Sequence, residues 1–270
     1  MASPAMYLRD GDAFVGTPAT QGGWNAGEAG GGPVLALLGQ CLEDVPTLVP
    51  MGLSRFTADL MRPVPVGKPI TVEARIVREG KKIQIVEQSL LHDGVELVRT
   101  SALRLRTEDL TGVDGLPADS STAHPALQIA RPKDSIDLAA EGPHRAGFLE
   151  AVDMYKAPSL DGTWYGHWLR LRLPVVEGEP VRPTARVTYA IDYANLIGIR
   201  GTGVSVSMIN PDVSAHILRV PVGEWIAITG HTRFSHTAAR GFSWAELSDE
   251  QGVFGGASTS QLLQPRRAAE

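Results

Sequence analysis

Residues 76–105 (IVREGKKIQIVEQSLLHDGVELVRTSALRL) and 233–262 (RFSHTAARGFSWAELSDEQGVFGGASTSQL) parallel each other element for element, and no other feature limits the fold as much. In the first copy REGKK and HDG are turn signals between runs that alternate in polarity. Val72, Ala74 and Ile76 alternate with Thr71, Glu73 and Arg75, the period-two pattern of a half-buried strand in an antiparallel meander. In the second copy SDEQG answers HDG. An apolar stretch of helical spacing precedes each meander: Val34, Leu35, Leu37, Leu38 and Leu42, ending near Asp44, and then TARVTYAIDYANLIGI. Two copies are too few for a solenoid, so the expected arrangement is a pseudo-dimer within one chain, its two sheets joined edge to edge.

The chain divides accordingly into a first unit at 1–110, opened by a short strand pair in 6–21, a linker at 111–145 and a second unit at 146–270. The linker is rich in Pro, Asp, Ser and Gly and has no sustained period. The second unit opens with a strand in GTWYGHWLRLRLP and closes with VFGGASTSQLL. Hydrophobic residues make up 43% of the 270 and charged residues 20%, enough apolar material to give each unit a core. The net charge of −5 is spread without a Lys/Arg block and offers no footprint for nucleic acid or an anionic membrane. No segment approaches the roughly 20 apolar residues of a membrane span. The N-terminus MASPAMYLRDGDAF lacks the basic-then-apolar pattern of a secretion signal. The single cysteine, Cys41, has no partner for a disulfide and sits in VLALLGQCL, where a buried structural thiol is expected. A cytoplasmic location is the expectation.

Several chemistries lack their residues. There is no G-x-S-x-G elbow to carry a serine nucleophile. GEAGGGP and GIRGTGVS lack the G-x-G-x-x-G spacing of a dinucleotide site. His231 and His236 bracket TRFS, and on an alternating strand that spacing sets them on opposite faces, against a shared metal. No metal or cofactor is expected. Trp164, Trp168, Arg170 and Arg172 alternate along one strand, with packing of the Trp pair the default role and phosphate contact by an Arg a lesser one.

Four stretches carry a family resemblance: GEAGGGPVLALL at the entry to the first helix, VREGKKIQIVEQSLLHDG with SALRLR, YAIDYANL, and the closing ASTSQL. On these, over roughly residues 10–265, the chain resembles the acyl-CoA thioesterase II family of double-hotdog proteins. The resemblance implies an α+β tandem hotdog, each half an antiparallel sheet wrapped around a central helix. It also implies hydrolysis of acyl-CoA by a water that an Asp, a Thr and a Gln orient. Asp192 in YAIDYANL matches the Asp and Gln261 in ASTSQL the Gln. The third position falls on Asn210, a departure, since an amide has donors and an acceptor but not a hydroxyl's geometry; Ser207 and Ser214 are nearby sources of a hydroxyl.

The residues allow that chemistry on their own terms. A thioester is already activated, so a carboxylate base and an oxyanion donor suffice. Asp192 is expected at the opening of the second apolar helix, as base, as N-cap or as both. Asn210 and Gln261 would position the water. Backbone amides of the Gly-rich entry, at Gly30 and Gly31, would meet the substrate's carbonyl oxygen, with Tyr193 and Ser214 as further substrate contacts. Acyl-CoA is the expected partner, and exposed strands leave room for a homodimer or homotetramer. Two other readings stay open on the same scaffold: acyl-CoA or acyl-carrier binding without hydrolysis, and a hydratase or dehydratase, for which His216 is the only histidine near enough to serve.

Overall fold

In the computed structural model, residues 4–23, 25–116, 136–137, 147–158, 165–196 and 206–265 are described. Most of the 111–145 linker and Trp164 lie outside them. The first half supplies β1 (Tyr7–Asp10), β2 (Ala13–Gly16), α1 (Gly31–Leu42), β3 (Met51–Leu60), β4 (Pro69–Arg78), β5 (Ile83–His92) and β6 (Val95–Arg106). The second supplies β7 (Ile136–Asp137), β8 (Val152–Pro158), β9 (Tyr165–Leu171), α2 (Pro183–Ile191), β10 (Val206–Ile209), β11 (Asp212–Ile217), β12 (Ile226–Ser235), β13 (Arg240–Ser248) and β14 (Val253–Pro265). The duplicated segments thus become β4–β5–β6 and β12–β13–β14. The tight turn between β5 and β6 is Asp93-Gly94, both at positive φ (49° and 74°), the geometry of a two-residue hairpin that matches strand twist.

All fourteen strands belong to one sheet. Its midline is the antiparallel pairing of β3 with β11, Ser214 opposite Thr57, which turns the free edge of each half into sheet interior. The double hotdog expected from the repeat is the fold observed. Among the described residues no helix is long and apolar enough to cross a membrane.

The sheet wraps around α1 and α2, which lie against each other. Val34, Leu35, Leu37, Leu38 and Leu42 of α1 are at most 1% exposed, since one side meets the sheet and the other meets α2. Contact between the helices is close enough to require a glycine. A Cβ on Gly39 would stand 2.2 Å from Thr188 Oγ1 and 3.0 Å from Ala185 Cα.

One local expectation is corrected, and strand β8 and Cys41 add detail to the rest. The alternation in β4 does not translate into half-burial: beyond Val72 the strand is exposed, Ile76 at 39%, because α1 covers only the start of this near-edge strand. Strand β8 had no reading in the sequence. It pairs with β9, whose Trp168 is fully buried, while Arg170 ion-pairs with Asp153 at 2.7 Å and Arg172 approaches the same carboxylate at 3.5 Å. Cys41 is half-buried, and burial pushes its thiol up to about 12, so it is not a thiolate at neutral pH.

Gly39→Leu forces side-chain atoms into the α1–α2 contact. We expect it to lower the unfolding free energy by about 1–3 kcal/mol, the scale of overpacking, in urea denaturation. An unchanged midpoint would mean the helices can separate without cost.

Candidate active site

Helix α2 stops at Ile191, and Asp192 is its C-cap. A 3-10 turn, Asp192–Leu196, continues from it. Asp192 therefore neither opens α2 nor caps its N-terminus, in contrast to the sequence expectation; the apolar run continues, but its hydrogen bonding tightens. The N-terminus that Asp192 meets belongs to α1. The Gly32 backbone N–H donates to its carboxylate, and Gly31 makes room for it: a Cβ there would lie 2.3 Å from Asp192 Oδ1.

In a 3-10 turn, side chains three apart share a face, and that places Asn195 beside Asp192. A buried chain of hydrogen bonds follows. Asn210 Nδ2 donates to Asp192 Oδ1 at 2.8 Å, and Asn195 Nδ2 donates to Asn210 Oδ1 at 3.1 Å. Gln261 Nε2 donates to the Asn195 backbone oxygen at 2.7 Å and to Ser243 Oγ at 2.9 Å. The carboxylate and the Asn195 carbonyl can only accept, so each amide must turn its NH2 toward them. Gln261 Oε1 is left buried with no partner, pressed against Gly241, where a Cβ would meet it at 2.3 Å.

These groups border a cavity of about 500 Å³ between the start of α1 and the sheet. Gly30, Gly31, Asp192, Tyr193, Asn195 and Asn210 line it, and Val34, Leu60 and Val98 give it apolar walls. Of the residues expected from sequence, the structure brings Asp192, Asn210, Tyr193, Gly30 and Gly31 together here. It sets two apart. Gln261 is 3% exposed, does not line the cavity, and reaches it only through Asn195. Ser214 alternates along β11 with the core residues Val213 and Ala215, so it faces the other side of the sheet; Ser207 is bonded to the Gln264 carbonyl on β10, and neither hydroxyl lines the cavity. His216 shares the Ser214 face and is exposed. Asn195 and Ser243 had no reading in the sequence, although the D-Y-A-N spacing carries a signal for Asn195.

The electrostatics have one dominant cause. Burial raises the Asp192 pKa above its ordinary value, and the hydrogen bonds from Asn210 and Gly32 oppose this only in part. The helix ends act oppositely on it: the positive start of α1 favours the charge and the negative end of α2 disfavours it. The residue stays partly accessible from the cavity, so a carboxylate with raised affinity for a proton faces an apolar-walled space. Among the described residues no cluster of three His, Cys, Asp or Glu is placed to hold a metal.

Comparison with known proteins supplies the family and the fold. Residues 20–105 match the family model of the acyl-CoA thioesterase N-terminal domain and residues 124–263 that of the C-terminal domain. No curated protein matches the sequence significantly. Among solved structures, a candidate thioesterase from Novosphingobium aromaticivorans superposes with TM-score 0.70 at 16% identity, covering 96% of this chain and 98% of that one. The acyl-CoA thioesterase II of Mycobacterium marinum gives 0.64 at 14%, over 95% and 94%. A hot-dog-fold protein of Alicyclobacillus acidocaldarius gives 0.66 at 15%, over 97% and 96%. At these identities the structures speak to the fold.

The raised pKa of Asp192 has a consequence for stability. A carboxyl whose folded-state pKa exceeds its unfolded value contributes stability that is full below the unfolded pKa and is lost as pH rises through the folded one. In thermal unfolding across a pH series, Asp192→Asn is expected to gain on the wild type through that window and keep the gain at neutral pH. Parallel curves would show that the carboxylate is not desolvated.

Proposed function

The chain belongs to the acyl-CoA thioesterase family and is a thioester hydrolase; from that premise we propose that it cleaves acyl-CoA to a fatty acid and CoA in the cavity at the start of α1, with Asp192 as general base. The observation that carries this reading is the Asp192 carboxylate, proton-seeking through burial and held by Asn210 and Gly32 at the edge of that cavity.

The acyl chain lies between helix and sheet against Val34, Leu60 and Val98, where each buried methylene contributes about 0.8 kcal/mol. Asp192 takes a proton from a water as its oxygen forms a bond to the thioester carbon. The carbonyl oxygen becomes an oxyanion, and a donor for it is available in the first turn of α1. Gly30 N–H is bonded to Thr20 and Gly32 N–H to Asp192, Pro33 has none, and Gly31 N–H alone is without a partner among the described residues. An N–H at a helix start is well placed for developing negative charge. When the C–S bond breaks, its electron pair goes to sulfur and Asp192 returns the proton to the thiolate.

Asn210 orients the carboxylate, since its NH2 is committed to Oδ1. In this reading Gln261 does not hold the water. It fixes Asn195, which fixes the Asn210 amide, so Gln261 and Asn195 are positioning residues. No histidine lines the cavity among the described residues, which removes the support for a hydratase. Fatty acid metabolism is the setting such a reaction implies.

In a free-thiol assay over a panel of acyl chain lengths, Asp192→Asn is expected to lower kcat by at least about a hundredfold, the scale of losing a general base. The wild-type kcat/KM should fall as pH drops through a pKa above the ordinary carboxylate range, because only ionised Asp192 accepts the proton. Full activity in Asp192→Asn, or no turnover on any chain length despite tight acyl-CoA binding, would overturn the proposal.

Asn195→Ala should reduce kcat by about tenfold or more with KM little changed, as expected when a group acting only through the base's orientation is removed. Equal loss in a variant of Ser207, which lies off the cavity, would show that the effect is not positional.

A further inference from the structure

The pseudo-symmetry of the fold generates a second cavity, lined by one buried cation, Arg104, and one exposed carboxylate, Glu43. The first cavity lies at the start of α1, the end of α2, the end of β3 and the residue pair before β11. A cavity of about 370 Å³ lies at the start of α2, the end of α1, the beginning of β3 and the end of β11. The halves have exchanged roles. The carboxylates also correspond: Asp192, C-cap of α2, accepts the N–H of the second residue of α1, while Glu43, C-cap of α1, accepts the N–H of Thr184, the second residue of α2, at 2.9 Å.

The chemistry has nevertheless diverged. Glu43 is exposed where Asp192 is mostly enclosed. Apolar Leu53 stands on the wall corresponding to the one that carries Asn210. In the paired repeats 76–105 and 233–262, the position of Gln261 is held by Arg104. Arg104 lines the second cavity, is 6% exposed, and donates to the Leu42 oxygen, to the Val45 oxygen at 2.8 Å and to Gln84 Oε1 at 3.0 Å. All three acceptors are neutral; Glu43 and Glu79 favour its charge only from a distance, and neither forms an ion pair with it. A buried guanidinium with only neutral partners retains an unspent demand for an anion, and two of its five N–H groups remain unassigned. Val45, Leu53, Val187, Ile217 and Val220 supply apolar surface around it.

We propose that this second cavity binds the ionised carboxylate of a fatty acid, head group on Arg104 and tail against the apolar walls, and does not hydrolyse thioesters. The choice of a fatty carboxylate over other apolar anions rests on the thioesterase reading of the first cavity, whose reaction produces such an ion. There the product's charge meets the enclosed carboxylate of Asp192; here it meets the buried Arg104, while the like charge of Glu43 is exposed to solvent.

The test uses the full chain and dodecanoate below its micellar concentration, followed by calorimetry, with dodecan-1-ol as the neutral control and a non-hydrolysable thioether analogue of dodecanoyl-CoA to fill the first cavity. The wild type should bind dodecanoate at least about tenfold more tightly than the alcohol, as a charge-assisted contact requires, and the thioether should not displace it. Leu53→Trp, which fills the cavity and leaves Arg104 in place, should weaken dodecanoate about tenfold or more while hydrolysis stays within about threefold of wild type. Arg104→Gln should abolish the preference for the carboxylate. Should that variant unfold through loss of its contacts to α1, Leu53→Trp and the wild-type selectivity decide. Absence of dodecanoate binding, displacement by the thioether, or indifference to Leu53→Trp overturns the proposal. Dodecanoate binding that is sensitive to Leu53→Trp in a protein without hydrolytic activity would overturn the thioesterase mechanism and leave this site standing.

Discussion

The antiparallel contact of α1 with α2 is the constraint from which the rest of the structure follows. Two helices buried side by side inside one sheet must each present a start beside the other's end, and each start carries backbone N–H groups that its own helix cannot satisfy. The sequence answers with a carboxylate at each C-cap: Asp192 reaches Gly32, and Glu43 reaches Thr184. Glycine at 39 and at 31 is what lets the helices, and then the carboxylate, come this close. A carboxylate at the end of a helix is disfavoured by its own dipole, so the neighbouring helix start is part of what makes Asp192 tolerable there.

That compensation is incomplete, and the incompleteness is useful to a base. Hydrogen bonds from Asn210 and Gly32 favour the ionised form, yet burial outweighs them and the pKa rises. A carboxylate fully satisfied by an arginine would be more stable and a weaker acceptor of protons. Here the partners are neutral amides arranged in series, each orienting the next, so geometry is fixed without spending the negative charge. Such a site lowers folding stability at neutral pH, and on the proposed general-base reading it does so in exchange for a poised base, a trade met often in enzymes.

Much of this was readable in the residues. The paired segments around HDG and SDEQG announced two meanders, and Leu35, Leu37 and Leu38 announced a central helix, because both depend on local period and turn chemistry. The residues at the cavity were readable in part. Asp192 and Asn210 do meet, but the end of α2 at Ile191 was invisible, since the apolar run continues past it and only the hydrogen-bonding pattern changes from α to 3-10. The proximity of Ser214 to Asn210 in sequence says nothing of face, and one step of strand alternation sends it to the opposite side. Gln261 was expected at the reacting centre and stands one residue behind it; the intermediary, Asn195, enters through a backbone carbonyl, and a carbonyl leaves no trace in a sequence.

The difference between Gln261 and Arg104 explains how one fold can hold two unlike cavities. Both side chains stand at the same point of the repeated hairpin and do the same structural task, donating to carbonyl oxygens just past the end of a central helix. In the first half nothing forbids a cation for that task, because the nearby Glu43 is exposed and its carboxylate already accepts the Thr184 N–H. In the second half a cation at 261 would sit within two hydrogen-bonded residues of Asp192, in surroundings where charges interact strongly. It would pull the carboxylate's pKa down and satisfy the charge that the base needs to keep. Glutamine is the neutral side chain that performs the capping and leaves Asp192 without a cation, so the general-base role proposed for Asp192 would account for glutamine there and leave the other half free to diverge.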